Sequence, residues 1–257
     1  MVNRNTPGTI KSGEQLLEVV QALQTLGGAG VTELGEYLDM EKSHVHKYLK
    51  TLEQTKYVDN TDGEYALSFM FITHAEHVKK QSKLCQVAKN RVEKMASNVD
   101  DVVKFSVKQG DYSIGVYIYN DSNMFQVNFL PGRREYLHQS APGKAMLAEE
   151  SDERIRAYVE ATGLPPREDG TITTAEELFA EVSTIRDRGF AISSGEWHEK
   201  INGIGAVITG PAGNVGAINV FGPAASLPEE YLVDEYGDDL LRITSQIEHK
   251  VEQEMEA

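Results

Sequence analysis

The chain has 257 residues, long enough for two domains of ordinary size, and 40% of them are hydrophobic against 25% charged, which supports packed cores and excludes a disordered chain. Forty acidic residues against 25 basic ones leave a formal net charge of -15; the acids are spread along the whole chain, as on a solvated acidic surface that stays soluble in strong salt, and this points to a halophilic source. No run approaches the roughly 18 to 20 apolar residues that cross a bilayer, the start MVNRNTPGTIKSGEQ lacks an apolar signal core, and Cys85 is the single cysteine, so a cytoplasmic protein without disulfides or a cysteine-based zinc site is expected.

Ser12 followed by Gln15 forms a capping-box pattern ahead of Leu16, Leu17, Val20, Leu23 and Leu26, and Gly27-Gly28 stops the run. Thr32 is expected to cap a short second helix, Glu33 to Leu38; after a break at Asp39-Met40 a third helix runs to about Gln54. In KYVDNTDGEYALS two strand-like pieces flank Asp62-Gly63, a strong hairpin signal. Three helices and a hairpin predict a winged helix-turn-helix over 8–68.

Residues 68–97 are helical in pattern; the stripe is weak over 69–83, the expected linker helix, and firmer at Leu84, Val87, Ala88, Val92 and Met95. Beyond them the period changes. VVKFSVKQGDYSIGVYIYN predicts two strands around Gln109-Gly110-Asp111, and MFQVNFL a third. Helices are expected from about Gly143, after Ser151, and from Thr174 with Glu177 to about Gly189. GFAIS, INGIGAVIT and VGAINVFG supply three more strands, and Ser226 with Glu229 is expected to cap a final helix from Pro228 to about Glu252. The fold class expected is α+β: a winged helix, a linker helix and, over 84–257, a sensor-like α/β domain.

At about 100° per residue, Ser43, His46, Lys47 and Lys50 share one arc of the third helix while Val45, Tyr48, Leu49 and Leu52 occupy the other. Between 42 and 56 four lysines meet one glutamate. A local positive excess in an acidic chain suits a helix lying in the major groove of double-stranded DNA. An ordinary solvated helix face would show the same lysines; the order helix, break, basic helix, Asp-Gly wing favours DNA.

Together SGEQLLEVVQAL, VTELGEYLDMEKSHVHKYLKTLEQTKYV, DGEYALS, LHQSAPGKAMLA and RGFAISSGEWHEKINGIGAVITGPAGNVGAINVFGP resemble the IclR (isocitrate-lyase-regulator) family of transcription factors over nearly the whole chain. The resemblance implies a winged helix joined by a linker helix to a GAF-like, effector-binding domain, in a homodimer or a dimer of dimers. It implies that Thr32, Ser43, His44, His46, Lys47, Lys50 and Lys56 meet operator DNA. Glu41 stands where family members often carry proline and is expected to turn away from phosphate. A small effector is implied near Ala141, Pro142, Gly143, Ser193, Glu196, Gly203, Asn219 and Phe221. A helix start beside Gly143 offers unpaired N–H groups, which suits an organic acid. Pro142, Gly203 and Phe221 suggest a roomier or more apolar cavity than a very small acid needs; Gly143 and Gly195 fit simple packing as well.

Other chemistry finds little support. Pro142-Gly143-Lys144 lacks both the glycine five places before Gly143, which is His138, and a Ser or Thr after Lys144, so it is no phosphate loop. His74 and His77 lie one turn apart without further ligands nearby, and no metal or other cofactor is expected. Glu196, Trp197 and His198 put an acid close to an imidazole, but no acid–base pair is expected of this segment. Two function classes remain: a ligand-responsive DNA-binding regulator that is not an enzyme, and an enzyme or ligand carrier whose helical front half only mediates assembly.

Overall fold

The computed structural model describes residues 8–119 and 130–256. The chain divides into two compact units, Met1–Val78 and Lys79–Ala257.

In the first unit α1 (Lys11–Leu26), α2 (Val31–Leu38) and α3 (Lys42–Gln54) enclose a core of Val19, Leu23, Leu34, Val45, Leu49 and Leu52. Each such aliphatic chain removed from water contributes roughly 1.5 to 3 kcal/mol. A three-stranded sheet closes the unit: β2 (Val58–Thr61) and β3 (Glu64–Leu67) form the wing, and β1 (Ala29–Gly30) pairs with the far edge of β3. Asp62 (φ 53°) and Gly63 (φ 92°) turn the wing in the left-handed region, the conformation for which Asp-Gly is selected. Asn60 Oδ1 accepts from the Gly63 N–H at 3.0 Å.

Two expected caps are corrected here. Ser12 lies inside α1, because Gly13 and Glu14 already donate to the carbonyl of Ile10, and the helix begins at Lys11. Thr32 lies inside α2: Gly30, paired with Glu64, passes the chain straight into the helix at Val31. The strand β1, two residues long, carries no sequence period that could reveal it.

α4 (Met70–Gln81) has no buried residue. Its His74 stacks on Tyr57, whose hydroxyl lies 2.6 Å from Nε2. Ser82 breaks the helical run and caps α5 (Lys83–Ala96) by accepting from the Cys85 N–H.

Among the described residues the second unit is built on a six-stranded antiparallel sheet in the order β6-β5-β4-β9-β8-β7, with β4 (Val102–Gln109), β5 (Tyr112–Tyr119), β6 (Arg134–Tyr136), β7 (Ala191–Ser194), β8 (Ile201–Thr209) and β9 (Val215–Pro223). Alternation sorts its faces. Val103, Phe105, Ile204, Ala206, Ile218 and Val220 pack against α5 and the final helix α9 (Glu229–Glu256). The opposite face meets α6 (Ala141–Ala148), α7 (Asp152–Thr162) and α8 (Ala175–Arg188). Ser151 and Thr174 cap α7 and α8 as expected, accepting from the Arg154 and Glu177 N–H groups. Ser226 does not cap α9; its hydroxyl donates to Pro223 O at 3.0 Å, and α9 begins at Glu229. α6 starts at Ala141, two residues before Gly143. The strand expected at MFQVNFL falls, apart from Leu130, outside the described residues, whereas β6 was not anticipated.

Candidate functional site

On α3 the helical arc divides as its sequence demands. Val45, Leu49 and Leu52 are buried, whereas Ser43, His44, His46, Lys47 and Lys50 are exposed. Among the described residues Lys47, Lys50 and Lys56 enter no ion pair. Glu41 is the exposed residue preceding α3, and its side chain makes no capping bond. Thr32 is exposed on α2, and Lys56 lies beyond α3 with φ 68°, a left-handed turn residue that ends the helix. The polar arc of α3 is therefore a free surface, in one block with the wing.

In the second unit a cavity lies between the start of α6 and strands β4, β7, β8 and β9. The cavity is small, about 30 Å³, well below the roughly 300 to 1,000 Å³ of preformed ligand sites. Ala141, Pro142, Ser193, Gly203, Asn219 and Phe221 line it, together with Lys104, Ser140, Trp197 and Ile201. Lys104 faces Asn219 directly across the β4–β9 ladder.

Two buried oxygens on the cavity wall have no hydrogen-bond partner. Ser140 and Asn219 are each 4% exposed, and neither Ser140 Oγ nor Asn219 Oδ1 is satisfied by the protein. Such a group costs about 1 to 3 kcal/mol unless something fills the gap. Ser140 precedes α6 without capping it. The other walls, Pro142, Trp197, Ile201 and Phe221, are apolar.

The positive charge at this wall is held in place. Lys104 Nζ donates to Glu135 Oε2 at 3.0 Å, and Trp197 Nε1 donates to Glu135 Oε1 at 2.7 Å. The guanidinium of Arg167 stacks on Trp197 at 4.2 Å, and that of Arg133 lies 5.7 Å from the same ring. Burial, and secondarily repulsion from Arg133, lowers the pKa of Arg167.

Two expected cavity residues are placed elsewhere. Gly143 is not on the lining: a Cβ there would lie 2.2 Å from Leu137 O, so its lack of a side chain serves the contact of α6 with that backbone. Glu196 turns away to the Lys144 ammonium at 2.6 Å; Lys144, 1% exposed, also donates to Ile192 O and pairs with Glu181. Burial, opposed by Lys144, raises the Glu196 pKa. Gly203 does line the cavity, but a Cβ there would lie 2.7 Å from Phe221 Cβ and 2.9 Å from Val220 O; the glycine serves strand packing as well.

Sequence reasoning passed over Lys104, Ser140, Trp197 and Ile201. Ser140 adjoins the motif residue Ala141 and was within reach, as was Trp197 beside Glu196. Lys104 reaches the cavity only through strand register. No group of His, Cys, Asp and Glu suited to a metal ion occurs among the described residues.

Family models cover both units: the IclR helix-turn-helix domain matches residues 14–62, and the C-terminal domain of the bacterial transcriptional regulator IclR matches residues 76–249. The chain belongs to the IclR family of transcriptional regulators. It is therefore a helix-turn-helix regulator with a C-terminal effector-binding domain, and not an enzyme. Its relatives include "Probable HTH-type transcriptional regulator ArcR" of Halobacterium salinarum, 25% identical over 255 residues that cover 97% of each chain. Another is the HTH-type transcriptional regulator KipR of Bacillus subtilis, 27% identical over 84% of this chain and 89% of that one. The fold is that of the IclR crystal structure from Thermotoga maritima, with a TM-score of 0.80 and 23% identity over 95% of this chain and 99% of that chain. An IclR homologue from Microbacterium hydrocarbonoxydans complexed with 4-hydroxybenzoate aligns with a TM-score of 0.74 and 17% identity, over 93% of this chain and 99% of that chain.

Proposed function

We propose that this IclR-family regulator reads double-stranded operator DNA with the exposed arc of α3 and answers to a small organic acid held in the cavity beside α6. The observation that carries the effector reading is the pair of buried, unpartnered oxygens, Ser140 Oγ and Asn219 Oδ1, beside the start of a helix and a buried lysine. A helix N-terminus and a cation favour a carboxylate; the two oxygens suit a further hydroxyl or bound water. Four apolar walls suit a planar or short-chain body. The 4-hydroxybenzoate complex of the Microbacterium homologue agrees with that chemistry.

On the DNA side Ser43, His44, His46, Lys47 and Lys50 contact bases and phosphates, Lys56 and Thr32 stand at the margin, and the chain acts in the cytoplasm as a homodimer or dimer of dimers. No helix among the described residues is long and apolar enough to cross a membrane. The net charge of -15 and the Halobacterium relative support a halophilic source.

The test is a gel shift on the DNA upstream of the chain's own gene. His46→Ala and Lys47→Ala alter exposed side chains and leave the core intact, so each variant should fold normally and lose about 1 to 3 kcal/mol of operator affinity. Wild-type affinity in both removes α3 as the reading element.

A further inference from the structure

We propose that Glu135 is a built-in counter-carboxylate of the effector cavity, holding Lys104 and Trp197 until an incoming carboxylate displaces it from Lys104. The inference rests on the reading of this cavity as a carboxylate site.

Both oxygens of Glu135 are committed, one to the Lys104 ammonium and one to the Trp197 indole N–H. All three residues are nearly inaccessible, at 5%, 5% and 8% exposure. They come from three separate elements: β4, β6 and the segment that follows β7. Lys104 forms a partition. One side of it lines the effector cavity; the other lines a second small cavity that Glu135 shares with Arg133 and Leu130.

An anion entering the effector cavity thus meets a lysine that is already neutralised, with a buried carboxylate directly behind it. Two carboxylates close to one ammonium in a dry site repel each other strongly. The ligand gains the full value of Lys104 only as Glu135 yields. A neutral ligand of the same shape meets no such opposition, so Glu135 sets the discrimination between anion and neutral analogue. Displacement also removes one anchor of Trp197, while the Arg167 Nε bond to the Trp197 carbonyl, at 2.7 Å, keeps the segment attached. Ligand charge is thereby converted into movement of the cavity wall.

The test uses the full chain and two probes of matched shape, benzoate and benzamide, measured by calorimetry on wild type and Glu135→Gln. Trp197 is the only tryptophan, so its emission reports the wall directly. Glu135→Gln is expected to bind benzoate roughly tenfold or more tightly, the value of a charge-assisted hydrogen bond, with benzamide affinity changed less than about twofold. In wild type, benzoate should shift Trp197 emission and benzamide should not. Unchanged or weaker benzoate binding by a folded Glu135→Gln overturns the role of Glu135 and leaves the cavity reading standing. If the variant fails to fold, the wild-type emission decides, since bound benzoate without a shift rejects displacement. Failure of wild type and variant alike to bind benzoate, acetate or pyruvate removes the carboxylate reading and this inference with it.

Discussion

Replacing Ser140 by alanine should stabilise the ligand-free C-terminal unit, the opposite of what its position suggests. A serine preceding a helix normally accepts a hydrogen bond from the first turn, and its loss costs about 0.5 to 2 kcal/mol. Ser140 stands at that place with extended backbone angles, φ -157° and ψ 153°, yet its side chain makes no such bond. What it contributes to the helix is its carbonyl, which accepts from the Lys144 N–H at 2.9 Å and survives the substitution. The hydroxyl is instead buried without a partner, a burden of about 1 to 3 kcal/mol. Deleting one oxygen forfeits a few dispersion contacts of about 0.1 to 0.2 kcal/mol each, so a net gain of about 1 kcal/mol is expected. For a unit of this size that raises Tm by about 2 to 4 °C. Unfolding followed by Trp197 emission isolates the unit, and the same variant should lose roughly tenfold in affinity for a carboxylate that bonds the hydroxyl. A loss of about 1 kcal/mol or more would mean that the hydroxyl caps α6 after all or is well hydrated, and the argument from an orphaned oxygen would fail.

With so few lysines on and beside α3, the plot of log affinity against log salt should be no steeper than about -4 per winged-helix unit; a slope twice as steep requires phosphate contacts that this surface does not supply. His138 is fully buried, with Nδ1 2.7 Å from the Tyr158 hydroxyl and Nε2 3.1 Å from the Pro165 carbonyl, and burial lowers its pKa below 6.5. Below pH 6.5 the unfolded chain takes up a proton that the folded one refuses, so this contribution is present above that pH and is lost on acidification through the lowered folded value. His138→Gln should flatten that part of the stability-against-pH curve in urea titrations, and an unchanged curve would clear His138 of the role. Lys56→Gly relieves a left-handed lysine and should stabilise the first unit by on the order of 1 kcal/mol in thermal melts monitored by circular dichroism; a drop in Tm would show that the lysine side chain supports the turn.

Periodicity and local chemistry carried a good deal. The α3 arc was legible because one helix face must bury Val45, Leu49 and Leu52, which forces Ser43, His46, Lys47 and Lys50 outward. Asp62-Gly63 identified the wing because few residue pairs accept two left-handed conformations in succession. Ser151 and Thr174 could be recognised as caps since a cap acts within its own turn. What a tertiary partner decides was hidden. Thr32 was read as a cap because the pairing of Gly30 with Glu64, which starts α2 early, joins residues far apart in the chain. The cavity beside α6 combines both kinds of information. Ala141 and Pro142 were reached through the family resemblance, but Lys104 joins Asn219 only through the register of β4 on β9, and Glu135 reaches both Lys104 and Trp197 only because β6 pairs with β5. Gly143 and Glu196 are engaged off the cavity lining: the one lies against the backbone of Leu137, the other neutralises the buried Lys144. Sequence determined which faces are apolar and where turns fall, since those depend on neighbours within a few residues. Which polar groups end up buried without partners, and so define the cavity, depends on strands brought together from distant parts of the chain, and only the tertiary structure decided it.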